Sequence, residues 1–428
     1  MSFQLDLGLG GPVETFEFLE GDTVSRIIKT RSGDSQLSTV NLDFDASGMA
    51  AAEAYDLAWL RSTKPPRHHR DSPGVRIVDL FSGCGGLSLG LFEACRALGM
   101  KANFVLANDI DPDILAVYSD NLAPRISKCS PIEALFDGGL GDEPTEAELE
   151  ALNLLGESPS SSPLVDVLIG GPPCQGHSDF NNHTRNDDPK NSLYMRMARF
   201  CEVVAPTHVI IENVPGVARD RGSVAQRTWA ALRDLGYEVS SGVVDASAVG
   251  VAQKRRRSIT LATRSRDFKP SVDEAIRSAE VKEPRSALWA IKDLAGAVST
   301  RAIDSSTSPN AETFGRISYL FDNDLYDLPD DQRPDCHRLK HHSYKSVYGR
   351  MYPDRPAQTL TTGFTVMGRG RFVHPTERRT ITPHEAARLQ FFPDFFDFGE
   401  RPRTLLSRVI GNAVPPKLGY VLGLHLLR

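Results

Sequence analysis

Residues 165–178 read Val-Asp-Val-Leu-Ile-Gly-Gly-Pro-Pro-Cys-Gln-Gly-His-Ser, and this stretch decides the fold. Its first five residues form an apolar, β-branched run that is typical of a buried parallel strand. Two glycines and two prolines then end the strand and stiffen the turn. Because ligands of open α/β sheets bind beyond the carboxyl ends of the strands, the thiol of Cys174 is expected at the mouth of a site. Taken alone, the stretch fits a buried, inert cysteine about equally well.

Composition limits the class of protein. A chain of 428 residues can bury a large core and is expected to form two or three domains. Its formal charge of −6 does not indicate nucleic-acid binding, so such a role would depend on local basic clusters. The six cysteines show no CxxC pair and no metal-ligand spacing, which predicts reduced thiols and no metal site. The absence of a long apolar run and of a signal-peptide pattern favours a cytoplasmic protein.

A second strand-and-turn unit lies at residues 75–98. A strand over 75–81 runs into Ser82-Gly83-Cys84-Gly85-Gly86, and a helix follows. This order is typical of the first half of a nucleotide-binding βαβ unit, although tight turns use the same glycines. The next strand, 103–108, ends in Asp109-Ile110-Asp111. Asp109 suits a grip on ribose hydroxyls, and Asp111 suits the cap of the following helix.

Two further segments bring reactive groups to the same region. A buried strand over 207–212 ends in Glu212, so a thiol and a carboxylate are expected at one edge of the sheet. A carboxylate in such a partly dry site suits proton donation. Residues 253–257, Gln-Lys-Arg-Arg-Arg, lead into the strand 258–262. Three successive arginines cannot all be buried, so they either face a cleft, where they would bind phosphate or a polar ring edge, or form a solvated turn.

Taken together, six ordered blocks make the chain resemble the cytosine-C5-specific DNA methyltransferase family of bacterial restriction–modification type. The blocks are Asp-Leu-Phe-Ser-Gly-Cys-Gly-Gly at 79–86, Gly-Pro-Pro-Cys-Gln at 171–175, Glu-Asn-Val at 212–214, Gln-Lys-Arg-Arg-Arg at 253–257, Arg-Pro-Ala-Gln-Thr-Leu-Thr-Thr at 355–362 and Gly-Asn-Ala-Val-Pro-Pro at 411–416. The resemblance covers residues 75 to 428 and leaves an N-terminal appendage outside it.

The resemblance implies an α/β fold, with a Rossmann-like class I methyltransferase domain and a smaller, irregular target-recognition domain. The expected divisions are an appendage of unknown role at 1–63, a linker at 64–74, a catalytic and cofactor-binding domain at 75–262, a target-recognition domain at 263–354 that extends to about 380, and a C-terminal segment at 381–428 that returns to the catalytic domain. Residues 136–163 are rich in Gly, Glu, Ser and Pro, which predicts an acidic, mobile surface insertion.

The resemblance also implies S-adenosylmethionine as cofactor and assigns roles by position. Cys174 matches the nucleophile, Glu212 the proton donor, and Arg255 and Arg257 the arginines that hold base and phosphate. The expected cofactor residues are Phe81, Ser82, Gly83, Gly85, Gly86, Asp109, Ile110, Gly171, Pro173, Leu193, Asn412, Ala413 and Val414. One position departs from the family, because Ser130 stands where an acidic residue usually contacts the adenine amino group.

Duplex DNA is the expected partner. The target carbon is inaccessible inside a duplex, so the base must be flipped out, and the loop 175–191 is expected to close over it. In the recognition half, basic and aromatic residues alternate over 338–350 and basic residues continue over 369–379, which favours a local DNA contact, although a solvated charged loop has the same composition. The expected contacts are Gln175, Ser178, Arg185, Lys190, Arg338, Lys340, Lys345, Arg350, Arg369 and Arg371.

Three other functions explain the sequence less well. The family's RNA-acting branch, which methylates cytosine in tRNA, carries Cys-Phe-Thr in its recognition half, whereas this chain has Gly363-Phe364-Thr365. A catalytically silent DNA-binding homologue would tend to lose the thiol or the glycine turn, and both are present. A Cys-dependent acyl transferase does not explain the blocks at 212–214 and 411–416. The leading hypothesis is therefore a DNA methyltransferase that acts as a monomer in the cytoplasm, associated with the nucleoid when bound to DNA, alongside cognate restriction or defence-system proteins.

Overall fold

The computed structural model describes residues 13–30, 33–67, 72–156, 163–173, 193–220, 222–296, 299–338 and 346–427. The N-terminal appendage forms a three-stranded antiparallel sheet followed by one helix. Its elements are β1 (Val13–Leu19), β2 (Thr23–Lys29), β3 (Ser35–Asn41) and α1 (Ala51–Arg61). One face of β2 is buried, with Val24, Arg26 and Ile28 at 2% exposure or less, because it packs onto the next part of the chain.

The central part of the chain alternates strands and helices, as the apolar runs predict. Its elements are β4 (Gly74–Leu80), α2 (Gly86–Ala97), β5 (Lys101–Asp109), α3 (Pro112–Leu122), β6 (Ile126–Cys129), α4 (Glu146–Leu155), β7 (Val167–Gly170), α5 (Tyr194–Val204), β8 (His208–Asn213), α6 (Val224–Asp234), β9 (Glu238–Asp245) and β10 (Arg256–Thr263).

Within the described residues these strands form one seven-stranded sheet in the order β6-β5-β4-β7-β8-β10-β9. The first five strands of that order are parallel, and β10 lies antiparallel between β8 and β9. All four residues of β7 are buried, which explains why its sequence is continuously apolar rather than alternating. The Rossmann-like α/β fold is confirmed. The carboxyl ends of the five parallel strands meet at one edge, where a ligand site is expected.

The prediction of an acidic, mobile insertion over residues 136–163 is wrong for its central part. Helix α4 begins with a capping box, in which Thr145 and Glu148 each bind the other's backbone N–H. Glu148 is fully buried and its carboxylate lies 2.6 Å from the guanidinium of Arg199 in α5. Ala151 and Leu155 on the same face are also buried. The composition predicts an exposed segment, but the buried ion pair of Glu148 with Arg199 and the apolar face of α4 attach it to the core.

The C-terminal half adds seven helices among the described residues. They are α7 (Val272–Ser278), α8 (Ala287–Ile291), α9 (Ala311–Asp322), α10 (Asp335–Arg338), α11 (Pro383–Leu389), α12 (Arg403–Asn412) and α13 (Pro416–Leu426). Helix α13 packs along α2 at very short range, since a methyl group on Gly90 would lie 2.5 Å from the backbone nitrogen of Tyr420. None of the helices in the described part of the chain has the length and apolarity needed to span a bilayer.

Helix α11 carries a histidine that is held by two acids. Thr382 and Glu385 form a capping box. The ring of His384 places Nδ1 2.8 Å from Asp304 and Nε2 2.8 Å from Asp394. Burial disfavours the imidazolium, but the hydrogen bond and charge of Asp394 outweigh it and raise the pKa of His384 above its ordinary value. Protonated His384 therefore joins α11 to two other segments.

A pH-dependent stability is expected from this arrangement. A group whose pKa is raised in the folded state adds stability that is complete below its unfolded pKa and is lost as the pH rises through the folded value. The unfolding temperature of wild type should exceed that of His384→Asn most at pH 6, and the gap should shrink towards pH 9. A His208→Asn control should show the opposite trend, a gap that widens as the pH rises from 6 and then levels off, because burial lowers the pKa of His208 to about 4 while the unfolded chain still binds a proton at pH 6. A gap between wild type and His384→Asn that grows with pH would contradict the assignment.

Candidate active site

Two neighbouring strands bring the Pro-Pro turn and Glu212 together. In the parallel pair β7–β8, Gly170 lies opposite Ile211, so Gly171 and Glu212 leave the sheet at the same level. A Cβ atom built on Gly171 would lie 3.3 Å from Oε2 of Glu212. Asn213 Nδ2 donates to the carbonyl of Pro172 at 3.1 Å and ties the turn to β8. The carboxylate therefore stands beside the turn that leads to the thiol.

Several predicted residues lie outside the described residues. These are the nucleophile Cys174, the loop residues Gln175, Ser178, Arg185 and Lys190, and the recognition-half lysines Lys340 and Lys345. The predictions for them rest on the sequence alone.

Arg257 is the cation beside the carboxylate. Because β10 runs antiparallel to β8 with Ser258 opposite Asn213, Arg257 reaches the edge where Glu212 sits. Its Nε lies 2.5 Å from Oε1 of Glu212, and the two side chains are 12% and 10% exposed. Its Nη1 donates to the carbonyl of Arg256 at 2.8 Å. The two groups form an ion pair in a largely dry place, so the guanidinium orients the carboxylate.

Arg255 takes a different position from Arg257, and its predicted role at base or phosphate stays a prediction. The residue is only 1% exposed. Its guanidinium donates to the carbonyls of Leu360 at 3.0 Å, Gly411 at 3.1 Å and Asn412 at 3.4 Å. Arg255 thus joins the end of α12 to the segment 355–362. These contacts help to hold the segments that form the wall of the site.

The glycine turn after β4 has the backbone geometry of a ligand cradle. Phe81, Gly83 and Gly85 have positive φ angles of 57°, 56° and 90°. At Gly83 and Gly85 these angles cause no strain, because glycine has no Cβ atom. The N–H of Gly83 donates to Oδ2 of Asp109 at 2.9 Å, which joins the turn to the end of β5. Burial raises the pKa of Asp109 above its ordinary value. The described residues place no atom within 4 Å of a Cβ built on Gly83, so the turn opens onto free space.

Asp111 caps α3, as predicted, by accepting from the N–H groups of Asp113 and Ile114. The predicted role of Asp109 at the ribose stays a prediction. Both of its oxygens already accept a backbone N–H, from Gly83 and from Asp111, and each oxygen keeps a further lone pair for a hydroxyl.

Unsatisfied groups around the cradle test whether the predicted cofactor fits. The hydroxyls of Ser82 and Ser130 are buried and have no hydrogen-bond partner within the described residues. Ser130 is held at this edge because Asn108 donates to its carbonyl at 2.9 Å. Ile110 is 67% exposed, an unusual state for isoleucine. The two hydroxyls could each bond to a ligand, and the exposed side chain of Ile110 could pack against it. This set of groups fits a nucleoside-like ligand such as S-adenosylmethionine.

The C-terminal block closes the cradle. A methyl group on Gly86 would collide with the carbonyl oxygen of Val414, so the turn and the block at 411–416 are in direct contact. Ala413 is buried, whereas Asn412 is exposed at the end of α12. Phe81 and Leu193 are partly buried against one core cluster. The structure therefore brings the predicted cofactor residues of four segments together around the carboxyl edge of the sheet.

Comparison with known proteins identifies the family. The C-5 cytosine-specific DNA methylase family matches residues 75–428. The chain belongs to this family. It is 44% identical to the type II methyltransferase M1.BsuMI of Bacillus subtilis over 418 residues, which cover 97% of this chain and 95% of that protein. It is 31% identical to the type II methylase M.HgiDII of Herpetosiphon aurantiacus over 367 residues, or 82% of this chain and 95% of that one.

A solved structure gives the same result for the fold. The S. pombe Dnmt2 methyltransferase superposes with a TM-score of 0.55 at 20% identity, over 82% of this chain and 98% of that one. The enzyme is thus a DNA cytosine-C5 methyltransferase of a family that uses S-adenosylmethionine. The alternative functions weighed from the sequence are not favoured.

The predicted DNA contacts of this methylase divide into two groups. Arg338 and Arg369 are exposed. Arg371, in contrast, is 6% exposed and donates to the carbonyls of Tyr326 at 2.6 Å and Arg350 at 3.0 Å. The guanidinium of Arg350 lies 4.9 Å from the ring centroid of Tyr326 and 2.8 Å from the carbonyl of Pro375. The burial of Arg371 and the internal contacts of the partly buried Arg350 favour a structural role for both and argue against a DNA-facing one.

Two residues that support the site were not singled out from the sequence. Asn213 orients the Pro-Pro turn, and its position directly after Glu212 was the available signal. Asp79, the first residue of the glycine block, accepts from the hydroxyl of Ser88 at 2.7 Å, and that hydroxyl lies 2.8 Å from the Tyr118 hydroxyl. Burial raises the pKa of Asp79 to about 8. The three side chains brace the first turn of α2 beneath the cradle.

Proposed function

We propose that the enzyme methylates C5 of a cytosine flipped out of a specific duplex sequence, through a covalent bond between Cys174 and C6 of the base. The observation that carries this proposal is the placement of the Pro-Pro turn against Glu212, with Arg257 on the far side of the carboxylate. A thiol that follows this turn and a proton donor on the adjacent strand supply the two groups that the reaction needs at one place.

The chemistry follows from the poor nucleophilicity of cytosine C5. Addition of the Cys174 thiolate to C6 forms the S–C6 bond and moves the electrons of the C5–C6 double bond into the ring, so that C5 becomes the nucleophilic carbon of an enamine. The negative charge that develops at N3 is met by a proton or hydrogen bond from Glu212. S-adenosylmethionine, when bound, supplies the electrophilic methyl group. Loss of the C5 proton and cleavage of the S–C6 bond then restore the aromatic ring and the free thiolate.

Arg257 acts in two ways in this scheme. Its positive charge favours the thiolate over the thiol, which increases the fraction of Cys174 that can attack. It also fixes Glu212 through the 2.5 Å contact and is positioned to polarise O2 of the base. Arg255 is assigned to the wall of the site, where its guanidinium donates to the carbonyls of Leu360 and Gly411.

The cofactor is assigned to the cradle between the glycine turn and the block at 411–416. Phe81 and Ile110 would cover the adenine, Asp109 would accept from the ribose hydroxyls, and Ser130 would receive the adenine amino group in place of the family's acidic residue. The other residues assigned to this site are Ser82, Gly83, Gly85, Gly86, Gly171, Pro173, Leu193, Asn412, Ala413 and Val414.

On the DNA side, the exposed arginines Arg338 and Arg369, with the loop and lysine residues named from the sequence, are assigned to the duplex. Arg369 lies beside Val366, which is 48% exposed, on a loop anchored by the fully buried Phe364. An exposed arginine on an anchored loop suits contact with a groove. We further infer a monomer acting on cytoplasmic, nucleoid-associated DNA, with restriction or defence-system proteins as its associates.

Genomic methylation tests the proposal. DNA from a host that expresses the gene should show 5-methylcytosine by bisulfite sequencing at one recurring short sequence, in nearly every copy. An oligonucleotide with 5-fluorocytosine at that position should become covalently attached to Cys174, because the fluorine prevents the final proton loss. Unmodified host DNA, or tritium from labelled cofactor that enters tRNA alone, would refute the proposed substrate. An adduct on another residue would refute the assigned nucleophile.

A further inference from the structure

A single arginine of the N-terminal appendage bridges two helices of the family core. Arg26 of β2 is 2% exposed. Its Nη1 lies 2.8 Å from Oε1 of Glu93 in α2 and donates to the hydroxyl of Tyr420 in α13 at 3.0 Å. The guanidinium carbon lies 4.9 Å from the ring centroid of Tyr55, in α1. Since Glu93 and Tyr420 are also buried, these contacts are made away from water and are weakly screened.

Three further contacts attach the appendage to the family core, two of them to the same helices. Lys417 of α13 lies 2.6 Å from the carboxylate of Asp56 in α1, and both side chains are at most 12% exposed. Arg96 of α2 donates to the hydroxyl of Tyr55 at 3.2 Å. The end of α1 is also fixed, because the carbonyl of Leu60 accepts from the N–H of Asp394 at 2.9 Å. The appendage is thus joined to α2, to α13 and to the segment before α12.

Helices α2 and α13 carry opposite walls of the cofactor cradle. Helix α2 begins at Gly86, directly after the glycine turn, and α13 begins at Pro416, two residues after Val414. The two walls meet where Gly86 contacts the carbonyl of Val414. A small slide of α13 along α2 would therefore displace the turn from the block at 411–416 and change the shape of the cradle.

We infer that residues 13–62 act as a clamp that fixes α2 against α13 and thereby sets the affinity for the cofactor, with Arg26 as its principal positioning residue. The inference rests on the cofactor site assigned under the proposed function. It gives a role to a segment that lies outside the family match, which begins at residue 75.

The test measures binding of S-adenosylmethionine by calorimetry, together with thermal unfolding of the protein without cofactor. Arg26→Met removes the bridge and should raise Kd about fivefold or more, the low end of typical coupling between packed sites. Arg26→Met/Glu93→Gln also weakens the pair between Glu93 and Arg96, so it should lower the unfolding temperature further while Kd stays at the value of Arg26→Met. Arg26→Lys should lie between Arg26→Met and wild type.

Val24→Ala is the matched control. Val24 is fully buried on the same strand and packs with Ala54 and Tyr55 inside the appendage. This variant should lower the unfolding temperature and leave Kd within twofold of wild type. If Val24→Ala raises Kd as much as Arg26→Met does, or if Arg26→Met leaves Kd unchanged, the clamp is overturned. If wild type itself does not bind the cofactor, the assigned cofactor site fails and the clamp with it, so the two failures are distinguishable.

Discussion

Replacing Cys174 by alanine is expected to lower the rate of methyl transfer by at least about four orders of magnitude, since loss of a covalent nucleophile removes the reaction path and not only a contact. Without the S–C6 bond, C5 never becomes enamine-like, and proton donation by Glu212 cannot replace that activation. Single-turnover transfer of tritium from labelled cofactor to duplex DNA measures the effect. Binding of DNA should persist, because the substitution removes one sulfur atom and leaves the basic surface unchanged.

Cys201→Ala provides the control for this result. Cys201 lies in α5 and is 1% exposed, and burial raises the pKa of its thiol well above its ordinary value, so it is packing material and not a reactive group. That variant should keep transfer within a few-fold of wild type and still form the 5-fluorocytosine adduct. Tritiated product from Cys174→Ala, or an adduct that survives in it, would show that another residue attacks C6.

The arrangement of the site at the sheet edge could be predicted because it depends on local signals. An apolar β-branched run ends at Gly170 and another ends just before Glu212, and parallel strands in one sheet bring such ends together. The cap at Asp111 and the capping box at Thr382 were predictable for the same reason, since each involves residues no more than three positions apart. None of these features depends on contacts with distant parts of the chain.

The behaviour of individual arginines could not be predicted in this way. Arg255 and Arg257 are two positions apart, so a regular extended chain would turn both side chains to the same face. In the structure Arg257 contacts Glu212, whereas the guanidinium of Arg255 donates to distant backbone carbonyls. The difference arises from carbonyls at Leu360, Gly411 and Asn412, more than 100 positions later in the sequence, which surround Arg255. Arg371 was assigned to DNA by its basic neighbours, whereas its partner Asp327 and the carbonyl of Tyr326 hold it in the interior.

Buried charge also explains the error in the insertion at 136–163. Glu148 is one of several glutamates in an acidic run, and composition alone assigns all of them to the surface. In the structure Glu148 is fully buried, because Arg199 of α5 donates two hydrogen bonds to its carboxylate, at 2.8 Å and 2.6 Å. The pKa of Glu148 is lowered chiefly by the hydrogen bond from Arg199. Such pairing between distant segments leaves no periodic signal in a single sequence.

Replacing Glu212 by glutamine is expected to lower kcat roughly 100-fold or more, the typical loss when a positioned proton donor is removed. The amide keeps the shape of the side chain and can still contact Arg257, so the turn at Gly171 and Pro172 should stay in place. It cannot supply the proton that neutralises N3, and charge then accumulates on the ring during thiolate addition. Stopped-flow or quench measurement of methyl transfer, at saturating DNA and cofactor, separates this effect from binding.

Arg257→Met and the double variant Glu212→Gln/Arg257→Met complete the argument for Glu212. If the guanidinium acts partly by orienting the carboxylate, the loss in the double variant should be smaller than the product of the two single losses. Glu238→Gln is the matched control, because Glu238 is exposed at the opposite edge of the same sheet, and it should keep wild-type kcat. A Glu212→Gln enzyme within threefold of wild type would remove Glu212 from the chemistry and leave N3 to another donor. If the loss in the double variant instead equals the product of the two single losses, Arg257 acts on the base independently of the carboxylate.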